Sequence, residues 1–351
     1  MFFSKKKDLI GIDVGSTAVK LVQLRQVKGG FEIESIGVAP LPAEAIVDNS
    51  LMDSTAVVEC IRGLVNNIVV RKVKEAASSV SGNSVIIRKI MLPAATPEEV
   101  DAEIQWESEQ YIPFDINDVN IDYQILEPDE NDPSKMNVLL VASKKDIIND
   151  YHSVFSESGL KLVVVDVDAF AVQNAFELNY ELDPEEVYAL VNIGANMMNL
   201  NVVKAGVSLF IRDVQMGGTL YTEEIQKKLG VNGDEAERMK VSASASSSPD
   251  TIDAITRINE TIAQEIRRSL DFYNSNALEG RISKVFLSGG GCLTMNLPEA
   301  VTNRLSLPVE VLNPFSKLKW NEKLFDSDFL SSIAPIMSVA VGLASRRLGD
   351  K

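Results

Sequence analysis

Asp13, Gly15, Ser16, Thr17 and Lys20 stand close together in the run Gly11-Ile12-Asp13-Val14-Gly15-Ser16-Thr17-Ala18-Val19-Lys20. A carboxylate, two hydroxyls, an ammonium and a glycine that bares its backbone are the groups that hold a phosphate chain and its divalent cation. A reduced copy returns at Val191-Asn192-Ile193-Gly194-Ala195. At a constant offset Asp13 falls on Asn192, Gly15 on Gly194 and Leu21 on Leu200. Each copy predicts an apolar strand, a polar-x-Gly turn and a second strand with apolar residues at alternating positions: Val19 and Leu21, then Met198, Leu200 and Val202. Two such tips facing each other would clamp phosphates from both sides. One Asp/Gly hairpin alone is an ordinary turn. Its repetition about half a chain later points to a duplicated nucleotide-binding fold.

Three further segments carry polar or glycine-rich chemistry. Ser288-Gly289-Gly290-Gly291 follows a buried strand over Val285–Leu287. It reads either as a tight turn needing positive φ or as a place where backbone approaches a flat ligand such as a nucleoside. Gly217-Gly218-Thr219 opens a helix, where free N–H groups favour anions. Arg267-Arg268-Ser269 on a long helix could stack on a base or bind a ribose, and reads equally as a solvated charged face. Neither a Walker loop nor GxGxxG occurs, so P-loop and dinucleotide folds lack support.

The elements that must position these groups follow from periodicity and turn residues. Strands are expected near Leu9–Asp13, Ala18–Val27 and Phe31–Pro40, with Gly29-Gly30 between the last two. Val57, Val58, Ile61, Leu64 and Val65 give Ser54–Asn67 a helical stripe, and Val73–Val80 reads as another strand. From about 84 to 165 the order becomes β-α-β-β-α-β, a split βαβ module set into the first lobe. Its first helix, Pro97–Tyr111, has Thr96 as cap and Pro97 in its first turn. Its second spans Lys144–Ser158. The second lobe follows from Val187, with a third strand at Gly206–Val214 and helices at Leu220–Leu229 and Ile252–Asn274. Between those helices the serine-rich Val241–Pro249 reads as a flexible loop. The apolar helix Ser332–Leu348 returns to the first lobe.

Composition narrows the function classes. A chain of 351 residues is long for one core, so two lobes are expected. A net charge of −16 argues against nucleic acid as partner. Cys60 and Cys292 lack metal-ligand spacing and read as thiols of a reducing compartment. The single His152 lies on a predicted helix without a triad or metal cluster, which argues against histidine acid–base chemistry. No run approaches the roughly 20 apolar residues of a membrane span. Phe2, Phe3 and the lysines at 5–7 could touch an anionic membrane surface or form a solvated start.

Taken in order, Asp13-x-Gly15-Ser16-Thr17-x-x-Lys20, Asp166-Val167-Asp168-Ala169-Phe170-Ala171, Asn192-x-Gly194, Gly217-Gly218-Thr219, Ser288-Gly289-Gly290-Gly291 and Ala334-Pro335…Ala340-Val341-Gly342 resemble the actin-like ATPase superfamily of actin, sugar kinases and heat-shock chaperones. The inserted module resembles that of the division protein FtsA. Within this group, Trp106–Phe114 and Glu265–Tyr273 are similar to the PilM family of cytoplasmic type IV pilus assembly proteins.

The resemblance implies an α/β, two-lobed, actin-like (duplicated ribonuclease-H-like) fold with an FtsA-type α+β insertion. The first lobe would be 1–84 with 165–186 and 330–351, the module 85–164 and the second lobe 187–329, its helical part about 219–280. The ligand would be ATP or ADP with Mg²⁺. Asp13 would hold the metal through water, with Asn192 on its far side, while Gly15, Ser16, Thr17, Lys20 and Gly194 surround the phosphates. Gly217, Gly218 and Thr219 would approach ribose and phosphate, Arg267 and Arg268 adenine and ribose, and Gly289, Gly290 and Gly291 the adenosine. Asp166 would orient the attacking water.

As partner the resemblance implies the cytoplasmic N-terminal tail of PilN, an inner-membrane protein, in a groove beside the module. Other pilus components and self-association stay open. Asn192 departs from the superfamily's usual aspartate, and losing that charge weakens the hold on a hard cation, so nucleotide is held with hydrolysis slow or absent. The alternatives are an active ATPase or kinase, or an FtsA-like filament protein. The chain after the last helix is too short for a separate amphipathic anchor, which counts against the filament reading.

Overall fold

The computed structural model describes residues 8–350 apart from Asp48, 69–72, 129–131 and Leu278. Phe2, Phe3 and the lysines at 5–7 lie outside the described residues. The first lobe begins with β1 (Ile10–Val14), β2 (Ala18–Val27) and β3 (Gly30–Pro40). A small hairpin, β4 (Ile46–Val47) and β5 (Ser50–Leu51), precedes α1 (Ser54–Ile68) and β6 (Glu75–Val80). Asp53 caps α1 through the Ala56 N–H at 3.0 Å. Val57, Val58, Ile61 and Leu64 form its buried face, on the expected helical spacing.

The inserted segment comprises β7 (Val85–Pro93), α2 (Pro97–Ser108), β8 (Val119–Pro128), β9 (Lys135–Lys144) and α3 (Lys145–Glu157). Thr96 and Glu99 close a reciprocal capping box on α2, and Pro97 sits in its first turn. The sheet β7-β9-β8 and α2 enclose their own core of Ile90, Val100, Ile104, Val138 and Leu140. By contrast α3, expected inside the module, packs through Tyr151, Val154 and Phe155 with Ile10, Ile12 and Val57 of the first lobe. The self-contained unit therefore ends near Lys144, because the apolar face of α3 matches the lobe's sheet.

β10 (Lys161–Val167) and α4 (Asp168–Asn179) return the chain to the first lobe. The second lobe has β11 (Val187–Ile193), β12 (Met198–Lys204), β13 (Val207–Val214), α5 (Thr219–Leu229), α6 (Gly233–Val241), α7 (Pro249–Asn276) and β14 (Ile282–Ser288). Residues 242–248, expected as a flexible loop, form a turn in which the Ser247 hydroxyl accepts from the Ser244 N–H at 3.0 Å, and Ser248 caps α7. α8 (Leu297–Leu305), β15 (Val309–Val311), β16 (Lys319–Trp320), α9 (Ser327–Ile333) and α10 (Ser338–Ser345) complete the chain.

The two lobes are built on one plan. The first sheet runs β10-β6-β1-β2-β3-β16 and the second β13-β12-β11-β14-β15. Each places its first three strands as antiparallel neighbours and then adds a parallel fourth and fifth on the first strand's free side. That shared order is the topological record of the duplication seen in the sequence. Between the sheets lie α4 and α10, whose Ala171, Val172, Phe176, Val339 and Leu343 join Leu190 and Phe286 in a shared core. The helices approach so closely that a Cβ on Gly342 would stand 1.7 Å from the Ala171 carbonyl oxygen. Only glycine fits there.

Contrary to the expectation that no run approaches a membrane span, Ser327–Ser345 is, among the described residues, long and apolar enough to cross one, but most of it is buried inside the protein. Just past α10, buried Arg347 reaches Asp8 at 3.3 Å and lies over the Phe31 ring.

Candidate functional site

The two repeated hairpins line one cleft of about 460 Å³, within the usual range for small-molecule sites. Their registers match residue for residue. Asp13 pairs with Lys20 across β1 and β2, and Asn192 with Asn199 across β11 and β12. Both tips close the same way: the Gly15 N–H donates to the Ala18 carbonyl at 3.1 Å and the Gly194 N–H to the Met197 carbonyl at 2.8 Å. The side chains differ. Lys20 Nζ sits 3.0 Å from Asp13 Oδ2 in the first hairpin, while Asn192 Nδ2 donates to Asn199 Oδ1 at 3.2 Å in the second. Ser16 and Thr17 also line the cleft.

A second carboxylate joins Asp13. Asp168 opens α4 and lines the cleft, accepting from the Ser79 hydroxyl at 2.6 Å. Burial first, then repulsion from Asp13, pushes its carboxyl up to about 6, although the Ser79 and Ser81 hydroxyls pull the other way. Asp166 is placed differently: it does not line the cleft. It pairs with Arg346 at 3.3 Å, and the Val167 N–H donates to it at 2.8 Å. The reason is local. Val167 is still extended, with φ −110°, and the chain turns helical at Asp168, so two positions that would share a face of one strand diverge. The sequence contained both aspartates, but choosing between them needed the strand–helix boundary to a single residue.

The glycine segments gather as expected, with one correction in their chemistry. Gly218, Thr219, Gly289, Gly290 and Gly291 line the cleft, and Gly217 packs behind them against the second hairpin. The N–H groups of Gly218 and Thr219 are not free for an anion: they donate to the carbonyls of Gly194 and Ala195, both at 2.9 Å. This turn braces the tip of the second hairpin. Gly289 has φ +81°, and a Cβ there would stand 2.4 Å from the Ile193 oxygen, so its glycine is required by backbone geometry.

Arg267 and Arg268 lie outside the cleft on the exposed face of α7. Arg267 bonds the Arg304 carbonyl at 3.2 Å, and Arg268 pairs loosely with Glu265 at 3.8 Å. In their stead α6 brings Glu237 and Lys240 to the rim, 2.6 Å apart, with Lys240 also 3.3 Å from the Gly218 carbonyl. The sequence reading missed α6 because its apolar stripe is weak. Asn232 followed by Glu235 was the available signal, and the Asn232 side chain does cap the helix at the Glu235 N–H, 2.9 Å away. Buried Tyr151, from α3, is a further unforeseen lining residue.

The donor set suits a magnesium–phosphate ligand. Mg²⁺ keeps several waters and takes one or two carboxylates plus substrate phosphates, so it needs no dense protein cage. Among the described residues no cluster of three acidic, histidine or cysteine side chains forms such a cage. Asp13 and Asp168 supply two carboxylates whose repulsion a cation would relieve. Lys20 and Lys240 supply positive charge on opposite sides of the cleft.

A family profile described as "Type IV pilus assembly protein PilM" matches residues 11–348, nearly the whole chain. The chain belongs to the PilM family. Its fold is similar to the solved "PilM-PilN type IV pilus biogenesis complex", with 25% identity and a TM-score of 0.85 over 97% of this chain and 98% of that one. It also resembles the ethanolamine utilization protein EutJ from Carboxydothermus hydrogenoformans, at 15% identity and TM-score 0.59 over 97% and 90% of the two chains. MreB5 of Spiroplasma citri bound to AMPPNP matches at 12% identity and TM-score 0.52 over 97% and 95%. These likenesses establish the actin-like ATPase fold, and PilM membership sets the chain in type IV pilus assembly.

Proposed function

We propose that this PilM-family chain is a cytoplasmic nucleotide-binding adaptor of pilus assembly at the inner face of the inner membrane. ATP or ADP with Mg²⁺ occupies the cleft and draws the lobes together. Lobe closure shapes a groove beside the inserted module for the N-terminal tail of a PilN-like inner-membrane protein. One observation carries the reading: two hairpins in identical register face one cleft, one bearing an Asp–Lys ion pair and the other an Asn–Asn amide pair. The charged side holds metal and phosphate. The amide side binds phosphate without adding a carboxylate for the metal, and hydrolysis is slow or absent.

Asp168 favours a second reading, an active ATPase. A carboxyl pushed up to about 6 beside Asp13 is suited to taking a proton from water. Purified protein tested for ATP and ADP binding with and without Mg²⁺, followed by capture of a PilN-type tail peptide in each state, decides between them. Binding with turnover near background supports the adaptor. Brisk Mg²⁺-dependent turnover lost in Asp13→Ala establishes the ATPase, and failure to bind nucleotide removes both.

A further inference from the structure

A directional chain of hydrogen bonds runs behind the second phosphate loop and crosses to the first lobe. Asp213 Oδ1 accepts from Asn199 Nδ2 at 2.8 Å. Asn199 Oδ1 accepts from Asn192 Nδ2 at 3.2 Å, and Asn192 Oδ1 accepts from the Ser288 hydroxyl at 3.2 Å. The other oxygen of Asp213 accepts from the backbone N–H of Gly82 at 2.5 Å. Gly82 begins the single turn Gly82–Ser84 that leads into β7, the first strand of the inserted module.

The direction of this chain is fixed by chemistry. Burial pushes the Asp213 carboxyl up, but the hydrogen bonds from Asn199 and the Gly82 N–H favour its ionised form. That form can only accept, so Asn199 turns its NH₂ to Asp213 and its oxygen to Asn192. Asn192 must then spend its NH₂ on Asn199, which leaves its carbonyl oxygen to the Ser288 hydroxyl, beside the cleft-lining Gly289. An amide oxygen is the end that a hydrated cation prefers. At the far end the fit is tight: Gly82 has φ +67°, and a Cβ there would stand 2.5 Å from Asn49 Nδ2 and 2.9 Å from Met197 Cε. Asn49 in turn donates to the Ser81 carbonyl at 2.9 Å. The contact thus joins the second hairpin's tip, at Met197, to the root of the module.

We propose that Asp213 is a positioning residue that sets the orientation of the Asn192 amide through Asn199 and links it to the first lobe at Gly82. Separation of the lobes at this point removes one partner of Asp213, and the Asn192 oxygen loses its fixed aim. The cleft and the inserted module are coupled through a side chain that touches neither nucleotide nor metal. The inference rests on the nucleotide reading above for its functional half only.

Two measurements test it. Hydrogen exchange of wild type without nucleotide should find the Gly82 amide protected, its partner among the described residues being the Asp213 side chain. Asp213→Ala removes that acceptor outright and should speed Gly82 exchange at least tenfold. An unprotected Gly82 in wild type overturns the proposal, even should the variant fail to fold.

The second measurement is a double-mutant cycle read by binding of a fluorescent ATP analogue with and without Mg²⁺. Asn192→Asp alone sets an acceptor against Asn199 Oδ1, which cannot flip without turning that oxygen toward Asp213. The misaligned carboxylate should therefore gain little Mg²⁺-dependent binding despite its added charge. Adding Asp213→Asn lets Asn199 flip, and should gain at least tenfold over the single variant. Additive effects overturn the relay. Absence of analogue binding by wild type overturns the nucleotide reading instead, and leaves the exchange result to judge the link.

Discussion

The two hairpins are the same backbone carrying opposite chemistry. Asp13 and Lys20 occupy the register positions that Asn192 and Asn199 hold in the second copy. The first pair is ionic and ends at the cleft, while the second is neutral and continues inward to Asp213. Duplication supplied one frame twice. One copy carries an ion pair at its tip, and the other an amide pair whose members each have two distinguishable ends. A carboxylate reads the same from either oxygen, but an amide must be aimed, and so it can respond to what lies behind it.

Glycine substitutions should break this comparison with the largest effect. A Cβ on Gly217 would stand 2.5 Å from the backbone oxygens of both Gly194 and Ala195, which cannot move without dismantling the second hairpin's brace. On Gly15 the Cβ would meet Lys20 Nζ at 2.7 Å, the end of a flexible side chain. Gly217→Ala is expected to cost about 3 kcal/mol, lowering the denaturation midpoint by several degrees. Gly15→Ala should cost under about 1 kcal/mol yet weaken nucleotide binding by displacing Lys20. Equal thermal losses in the two variants would show that the hairpins are braced alike.

The next effect sharpens the electrostatic contrast. Asp168 has its carboxyl raised from 3.8 to about 6 in the folded protein, chiefly by burial and then by Asp13. The folded state therefore holds that proton more tightly than the unfolded chain. The stability this contributes is fully present below about pH 4 and is lost as the pH rises through about 6. At neutral pH the ionised group weighs against the ligand-free fold by roughly 3 kcal/mol at most. Asp168→Asn should thus stabilise ligand-free protein at pH 7 and flatten its stability profile between pH 4 and 7, while Asn192→Ala leaves the slope intact. Denaturant melts across that range would refute the assignment if Asp168→Asn kept the wild-type slope.

Direct ligand contact ranks third. Asp13→Ala should weaken Mg²⁺-dependent nucleotide binding by about 10- to 100-fold, and Asn192→Ala by several-fold, since only the first removes a charge facing the cation. Isothermal titration with and without Mg²⁺ measures both. Comparable losses would make the second hairpin an equal metal clamp, against the reading of it as an aimed amide.

How far the sequence carried this comparison depended on what each feature requires. The duplicated strand order was legible because alternating apolar residues and Gly turns are local signals, and both hairpins, the long α7 and the capped α2 lie close to their expected positions. The asymmetry at position 192 was legible as a residue type. Its meaning was not, because Asn199 and Asp213 are ordinary polar strand residues until the register of β12 on β13 pairs them. That Asp168 rather than Asp166 lines the cleft turns on a single-residue strand–helix boundary, and Glu237 and Lys240 reach it on α6, which is held by its cap more than by an apolar stripe. Cleft residues contributed by tertiary packing leave little trace in local pattern.

The smallest expected effect tests the one segment whose sequence and geometry part most clearly. Arg267 and Arg268 were expected at the adenine and ribose. The structure leaves both more than half exposed on α7, with side chains 53% and 75% accessible, engaged with neighbouring carbonyl and carboxylate groups. Exposed ion pairs of this kind contribute under about 1 kcal/mol. Arg267→Ala and Arg268→Ala should each change nucleotide affinity less than twofold, whereas Lys240→Ala, at the cleft rim, should lower it several-fold. A tenfold loss from either arginine would mean that α7 swings its outer face to the ligand when the lobes close. The nucleoside would then be held by the long helix rather than by α6, and the second lobe would have to rearrange as well as rotate.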